Sequence, residues 1–323
     1  MTKLIGRQIA VGIGKESTRG TAVAPDFWLS WMELTAETRI ERAINESSLA
    51  RLEDSDGADI VSKWGEGTIK GKMKDESFGL LLLSLMGTEV EANPESGAYT
   101  HTYSVAQSTQ HQSLSVAVKD DNIDEVYPNA VIDSIKIDAE LGNYVMYEAS
   151  FMGLAEASAS NTVSISAERD FVPQMFEFKH AATQAGLTGA SAVSVRNMSI
   201  ELRQNVMRED VLGVASGEPN DILNQSFMVE GSITLVHDGT TFEDLQNNDT
   251  YQAMRFDMTH TDTIGTTLNP QLRIDLYRAK IFDYERNVSQ NELVEETFSF
   301  KGYYSIADSK MLDVILTNEH TGY

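Results

Sequence analysis

The chain has 323 residues, of which 41% are hydrophobic and 23% charged, a composition typical of a folded protein rather than a disordered one. Its 49 acidic residues outnumber its 25 basic residues, and the resulting net charge of −24 argues against a protein that wraps nucleic acid. The sequence contains no cysteine, which excludes disulfides, thiolate metal sites and a cysteine nucleophile.

The apolar patterns, taken in chain order, predict mostly strands. The longest purely apolar run, Leu80 to Leu83, is far shorter than the roughly 20 residues of a membrane span, and the N-terminus does not resemble a signal peptide, so we expect a soluble protein made in a cytoplasm. A helix is predicted over Phe78 to Met86, capped by Asp75 or Ser77 and ended by Gly87. Alternation of apolar and polar residues predicts strands at Ser113 to Lys119, Ala130 to Glu140, Leu272 to Leu276 and Met311 to Leu316.

A second helix is predicted to begin near Thr240 and Thr241, running through Phe242 and Leu245 as far as Met254. Two long polar segments, Asn45 to Lys63 and Asn205 to Gln225, are predicted to lie outside the sheets. Loops of this length in compact domains are usually functional or disordered. Their spaced apolar residues favour docking on another surface, and an unstructured hairpin is the alternative.

The sequence also contains an internal repeat of four blocks in the same order. Glu66 to Ile69 (EGTI) matches Glu230 to Ile233 (EGSI), and Phe78 then aligns with Phe242 without a gap. Arg39 to Glu41 is placed opposite Ser199 to Glu201, Gln112 to Leu114 opposite Pro270 to Leu272, and Val145 to Gly153 opposite Val294 to Gly302. With this alignment, the stretch from Ile40 to Glu66 is four residues shorter than that from Ile200 to Glu230.

The charge distribution supports two similar halves. Residues 1–160 carry 13 basic and 25 acidic residues, and residues 161–323 carry 12 and 24. The segment Leu154 to Glu168 is rich in Ala and Ser, as expected of a connector. We therefore predict a mainly β protein with a first domain at 1–156, a connector at 157–168 and a second domain at 169–323. Each domain is expected to be a β-sandwich or small barrel with one flanking α-helix and a long extended loop.

Known catalytic and metal-binding patterns are not matched. The segment Gly12 to Ser17 lacks the first glycine and the Ser or Thr of a phosphate loop, and the acidic cluster around Gly57 lacks the ligand spacing of a calcium loop. The six histidines show no metal-ligand spacing, and no serine lies in a nucleophile elbow. We expect no catalytic, cofactor-binding or metal-binding residues, and no enzymatic activity.

Seven segments together resemble the major tail tube proteins of long-tailed, non-contractile phages. They are distributed along nearly the whole chain: Gly12 to Leu29, Lys63 to Gly71, Glu76 to Gly87, Tyr99 to Asp120, Ser134 to Gly153, Asn269 to Leu276 and Ser309 to Asn318. Many tube subunits carry one tube domain and form hexameric rings, whereas this chain resembles the doubled version, in which three chains make a ring with pseudo-sixfold symmetry. The resemblance implies a virion component whose rings stack into a hollow tube that conducts double-stranded DNA.

The partners implied are other copies of the chain, the tape-measure, tail-tip and terminator proteins, and passing DNA that is not bound specifically; no membrane partner is implied. The two long loops would make the ring-to-ring contacts, through Leu49, Leu52, Asp54, Asp56, Ile60, Val211, Leu212, Glu218, Ile222 and Leu223. An acidic channel wall would repel phosphate, and the candidate acids are Asp133, Asp138, Glu140, Asp275, Glu295 and Glu296.

Two alternatives belong to other classes. A β-sandwich adhesin or carbohydrate-binding protein would fit the strand content, but it gives no reason for a duplicated polar loop. A hydrolase with a carboxylate pair is the other, and its only support is the abundance of acidic residues.

Overall fold

The computed structural model describes residues 4–323 and is built mainly from strands, as predicted. Its two α-helices are α1 (Phe78–Met86) and α2 (Thr241–Asn247), and short 3-10 turns lie at Gly6–Gln8, Pro173–Met175 and Gln184–Gly189. The strands are β1 (Ala10–Lys15), β2 (Phe27–Leu29), β3 (Trp31–Asn45), β4 (Gly57–Lys72), β5 (Gly87–Glu95), β6 (Ala98–Val105), β7 (Leu114–Lys119), β8 (Asp124–Glu140), β9 (Met146–Gly153), β10 (Ala157–Ser158), β11 (Phe176–Ala181), β12 (Val195–Arg203), β13 (Val206–Glu209), β14 (Asp221–Asn224), β15 (Met228–Val236), β16 (Gln252–Thr259), β17 (Gln271–Asn287), β18 (Glu295–Gly302) and β19 (Leu312–Asn318).

Eight strands form one continuous antiparallel sheet in the order β3-β4-β9-β8-β12-β15-β18-β17. The second halves of the two long strands, β8 and β17, belong to this sheet. Their first halves turn into a second layer, where β8 pairs with β7 and β17 pairs with β16 and β19. Register shifts between Tyr127 and Ala130 in β8 and between Leu276 and Ala279 in β17 mark the places where each strand passes between the layers. Further bulges lie near Asp133 and near Asp283, within the eight-stranded sheet.

The hydrophobic core lies between these layers. Along β9 and β18, every second residue is buried, so each strand has one core face and one face turned away from the core. Helix α1 is buried at all nine positions, whereas Phe242 is the buried residue of α2. Helix α1 ends at Met86 and is followed by Gly87, which has a φ of 84° as a left-handed helix stop requires.

Two details of the helices differ from the sequence prediction. Neither Asp75 nor Ser77 caps α1 through its side chain; the backbone N–H of Ser77 instead donates to the Glu168 carboxylate at 2.7 Å. Helix α2 ends at Asn247, and Met254 lies in β16, because the polar run after Leu245 lacks the apolar spacing that would continue the buried face.

The strand register corrects two blocks of the sequence repeat. Glu37 lies opposite Glu66, and Glu201 lies opposite Glu230, so Glu37 and not Glu41 corresponds to Glu201. With this correction, the stretch from Glu37 to Glu66 has the same length as the stretch from Glu201 to Glu230. Leu114 begins β7, whereas Leu272 lies at the start of β17, whose position in the sheet corresponds to β8. The strand orders β3-β4-β9-β8-β7-β1 and β12-β15-β18-β17-β16-β11 are otherwise the same.

The repeated glycine and phenylalanine positions meet in the structure. Gly67 lies opposite Phe151, and Gly231 lies opposite Phe300. A Cβ added to Gly231 would lie 2.5 Å from the Phe300 ring and 2.4 Å from the Ser199 carbonyl oxygen. The glycine of each EG(T/S)I block is therefore needed because an aromatic ring packs directly over its backbone.

A group of carboxylates gathers where the start of α1 meets residues 168–170. Arg169 bonds Asp75 at 3.1 Å and Glu319 at 2.8 Å. Burial, together with the charges of Asp75, Glu168 and Glu319, raises the pKa of Glu76 from 4.5 to about 7. Glu76 therefore holds its proton more tightly in the folded chain than in the unfolded one.

This shift predicts a pH dependence of stability. The stabilising contribution of protonated Glu76 is complete below pH 4.5 and is lost as the pH rises through about 7. Glu76→Gln removes the titration, so we expect the melting temperature of the unsubstituted chain to fall relative to that of the variant between about pH 5 and 8. Thermal melts across this range measure the difference, with exposed Glu91→Gln as the control. A constant difference between the chain and Glu76→Gln would contradict the prediction.

Candidate assembly surfaces

The face of the eight-stranded sheet that points away from the core is the first candidate surface, and we call it the open face. Along β9 it presents Glu148 and Ser150, and along β12 it presents Ser199 and Glu201. Its acidic residues outnumber its basic ones. The acids are Glu33, Glu37, Glu41, Glu66, Asp138, Glu140, Glu148, Glu201, Glu230, Glu285 and Glu295; the bases are Arg39, Lys70, Lys72, Lys136, Arg196, Arg203, Lys280 and Lys301.

Many of these charges are paired with charges on other strands of the sheet. Arg39 contacts Glu66 at 2.6 Å, and Arg196 contacts Glu295 at 2.7 Å. Burial opposes ionisation of Glu66, but hydrogen bonds from Arg39 and Trp64 outweigh it and hold the pKa of this carboxyl below its ordinary value. The open face therefore combines a negative excess with ion pairs that are mostly half exposed.

The six acids expected on a channel wall are divided by the structure. Asp138, Glu140 and Glu295 lie on the open face. Asp133 is half buried at the bulge of β8, where its side chain accepts the backbone N–H of Val206 at 3.0 Å.

The prediction that Asp275 and Glu296 lie on a channel wall is wrong, because both side chains are buried within the chain. Asp275 accepts two bonds from Arg255 at 2.6 and 2.7 Å, and Glu296 accepts bonds from Tyr284 at 2.9 Å and His237 at 3.0 Å. Alternation along a strand predicts only which residues share a face. It missed Glu37, Glu148, Glu201 and Glu285 because the core side of each strand is decided by the partner layer.

The predicted long loops are partly strands, which corrects the expectation that they lie outside the sheets. Residues 57–63 belong to β4 and pair with β3, so the first segment is the outer part of a long hairpin whose turn spans residues 46–56. We call this hairpin end the first arm. Its Leu49, Leu52, Asp54, Asp56 and Ile60 are all exposed.

The second segment, residues 205–225, contains the small hairpin β13-β14, and we call it the second arm. Val211 and Leu212 are exposed there, Glu218 and Leu223 are half buried, and Ile222 is fully buried. Ile222 is therefore unavailable for a contact between rings, and its assignment as a stacking residue is wrong.

The second arm is fastened to the first half of the chain. Asp221 accepts bonds from Arg19 at 2.8 Å, Gln110 at 2.6 Å and Asn129 at 3.0 Å. The guanidinium of Arg208 lies 3.6 Å from the centre of the Trp64 ring. Burial opposes ionisation of Asp221, but the bonds from Arg19 and Asn129 outweigh it and lower its pKa below 3.8.

Removing this charge tests the attachment of the second arm. Asp221→Asn leaves the Arg19 guanidinium without its carboxylate, so we expect the free energy of unfolding to fall by about 2 kcal/mol, together with faster proteolysis within residues 210–219. Urea unfolding and limited proteolysis measure both effects. Exposed Asp210→Asn is the matched control, and equal behaviour of the two variants would show that Asp221 does not hold the arm.

One group of side chains has metal-ligand spacing that the sequence search missed. Glu89, Glu91 and His101 lie close enough to share an ion, although only His101 is fully buried. Both ring nitrogens of His101 already have partners, Glu89 at 2.7 Å on one side and Asn318 and the His320 carbonyl at 3.1 and 3.0 Å on the other. These hydrogen bonds explain why the three side chains lie together, and they give the cluster a structural role.

The open sheet also has two edges available for pairing. The outer edge of β3 and the outer edge of residues 280–287 in β17 have no strand partner within residues 4–323. Between them, β8 and β12 join the two halves of the chain edge to edge, with Asp138 opposite Ser199 and Lys136 opposite Glu201. We call this β8–β12 contact the internal seam. Unpaired strand edges of this length are strong sites for association.

Within residues 4–323, no helix is both long and apolar enough to cross a membrane. Comparison with curated proteins gives no match. A comparison with solved structures returns a crystal structure of an Hcp protein, with 14% identity, a TM-score of 0.23, and coverage of 40% of this chain and 88% of that one. The phage tail tube protein family matches residues 6–302. The chain therefore belongs to the phage tail tube protein family, and it is a structural component of the virion tail rather than an enzyme.

Proposed function

We propose that this protein closes into rings of three chains, which stack into a hollow tube that conducts double-stranded DNA into the host. The observation that carries this proposal is the internal seam, where two similar sheets are already joined edge to edge. A sheet with one free edge at each end can repeat that junction with further copies, and closing the ring leaves neither of these two edges exposed.

The proposal assigns two tandem tube domains to the chain, at 1–156 and 169–323, with a connector at 157–168. The shared strand order of the two halves supports this division. Because each chain supplies two domains, three chains would give a ring with true threefold and approximate sixfold symmetry. Hexameric rings would instead need six chains and twelve domains.

The open face would line the channel. Its negative excess, including Asp138, Glu140 and Glu295, would repel DNA, which carries one negative charge per about 1.7 Å of axis. The ion pairs on this face leave few unpaired cations to hold phosphate. DNA would therefore pass without specific binding.

The two arms would make the contacts between rings. Leu52 and Leu212 are fully exposed at the ends of the arms, and such residues in a soluble chain are suited to contact with another copy. Identical head-to-tail contacts along one axis produce an open filament. The tape-measure, tail-tip and terminator proteins would bind at the ends of that filament.

Electron microscopy of the purified protein tests the proposal. We expect stacked rings or tubes whose averaged images have threefold symmetry and a sixfold-like outline. A reconstruction with the open face on the outside would contradict the channel assignment. Dispersed monomers at every concentration and salt would contradict the ring itself and would leave an adhesin-type sandwich as the alternative.

A further inference from the structure

The internal seam also defines how one copy meets the next. We propose that β17 of one chain pairs with β3 of a second copy in the register of the internal seam, and that this pairing places Glu285 opposite Glu37 of the second copy. The inference rests on the proposed ring and specifies the surface through which it closes. These are the two edges of the eight-stranded sheet that have no strand partner within residues 4–323.

The register follows from aligning each strand of the new contact with its equivalent in the internal seam. The first alignment is of β3 with β12. Gly67 and Gly231 occupy equivalent positions, because each lies opposite the repeated phenylalanine. The residues one step before them, Glu66 and Glu230, lie opposite Glu37 and Glu201. Glu37 of a second copy therefore takes the place of Glu201.

The second alignment is of β17, the other strand of the contact between copies, with β8 in the internal seam. Glu148 lies three residues before Phe151, and it faces Lys136. Thr297 lies three residues before Phe300, and it faces Glu285. Glu285 therefore takes the place of Lys136.

The two seams then differ in charge at the same position. The internal seam places Lys136 opposite Glu201, a favourable cross-strand pair. The seam between copies places two carboxylates opposite each other, and like charges in that arrangement are destabilising. Within residues 4–323, Glu285 has no cationic side chain at salt-bridge distance, so its charge is not neutralised before the copies meet.

The surrounding charges do not reverse this repulsion. On the β3 side, Arg39 is already shared by Glu37 at 2.9 Å and Glu66 at 2.6 Å. On the β17 side, Lys280 is paired with Asp249 and Arg286 with Glu243. Lys136 and its neighbours belong to the internal seam, so the seam between copies has an excess of carboxylates.

The bulges of β8 and β17 also differ in their contacts. In the internal seam, Asp133 accepts the backbone N–H of Gln204 through its carbonyl at 2.7 Å and that of Val206 through its side chain at 3.0 Å. The bulge of β17 lies between Phe282 and Glu285 instead, where the backbone N–H of Tyr284 donates to the Gln246 side chain of α2 at 2.7 Å. The halves of one chain are joined through a favourable charge pair, whereas copies would meet through two facing carboxylates, a charge-sensitive contact that lets free subunits remain apart.

The register is tested by disulfide formation, since the chain has no cysteine of its own. Asn287→Cys with Thr35→Cys is expected to give a covalent link between copies in assembled tubes, because directly opposite residues lie within disulfide reach. Asp138→Cys with Ser199→Cys is the matched positive control within one chain, at the equivalent pair. Asn287→Cys with Ala36→Cys is the negative control, since adjacent residues point to opposite faces.

The charge effect is tested by exchanging the carboxylates. Glu285→Lys restores the pairing of the internal seam, so we expect the protein concentration needed for tube formation at low salt to fall by roughly tenfold, since each seam in the ring gains about two- to fivefold. The concentration needed by Glu285→Gln is expected to lie between those of Glu285→Lys and the unsubstituted chain. The double variant Glu285→Lys, Glu37→Lys restores like charges and is expected to return close to the value of the unsubstituted chain.

The outcomes separate this inference from the proposed function. Tubes that form without the link between positions 35 and 287 would overturn the register but leave the ring. A disulfide between positions 35 and 287, together with an unchanged concentration for tube formation by Glu285→Lys, would overturn the proposed charge repulsion. Failure of the unsubstituted chain to form rings or tubes would overturn the proposed function and the inference together.

Discussion

Phe300→Ala is expected to lower the free energy of unfolding by about 3–5 kcal/mol. Phe300 is 1% exposed, stacks on Phe256 with ring centroids 5.2 Å apart, and covers the backbone of Gly231. Removing the ring leaves a cavity between two strands that cannot close, because β15 and β18 are held together by their ladder of hydrogen bonds. Phe151→Ala is expected to have a similar effect at the equivalent position over Gly67.

Urea unfolding of the purified variants measures the change. Phe282→Ala is the matched control: this phenylalanine is 38% exposed on β17, so we expect a loss below about 1 kcal/mol. A loss that small for Phe300→Ala would show that the ring does not support the core.

Replacing residues 46–56 by a two-residue Asn-Gly turn is expected to abolish tube formation and leave the chain folded. The strands end at the pair Asn45 and Gly57, so a tight turn can join them without disturbing the rest of the hairpin. The removed residues are exposed, and Leu49 and Leu52 are the apolar contacts proposed between rings. Their loss should leave single rings that do not stack.

Thermal melting and electron microscopy of this variant separate folding from stacking. The paired substitutions Leu49→Ser and Leu52→Ser should weaken stacking in the same direction, whereas Val90→Ser, at an apolar residue 67% exposed on β5, is expected to have no effect. Tubes of normal length from the shortened chain would show that the first arm does not join rings.

The sequence predicted the elements whose patterns are local. Period-two alternation located β7 and the second half of β8, and the apolar run ending in Gly87 located α1. The EGTI and EGSI blocks identified the repeat because Gly67 and Gly231 each lie beneath a phenylalanine ring, a requirement that restricts both positions.

Other features depend on contacts that no local pattern encodes. Residues 57–63 look like a polar loop but form a strand because β3 lies beside them, and Ile222 looks exposed but is buried where the second arm meets the first half of the chain. Asp275 and Glu296 alternate like surface acids, yet each is buried beside a partner from another segment, Arg255 and His237 respectively. Burial of a carboxylate depends on such partners, which are distant in sequence.

The sequence by itself therefore determined a mainly β chain with a repeated unit and an overall negative charge. Alternation and turn residues act locally along the chain, and the net charge is a sum over all residues. Only the tertiary structure decided which acids share the open face, which segment the second arm contacts, and which two strands form the edges of the eight-stranded sheet. The physical reason is that strand pairing is set by hydrogen bonds between segments far apart in the chain, and the two faces of a strand become different only when a second layer covers one of them.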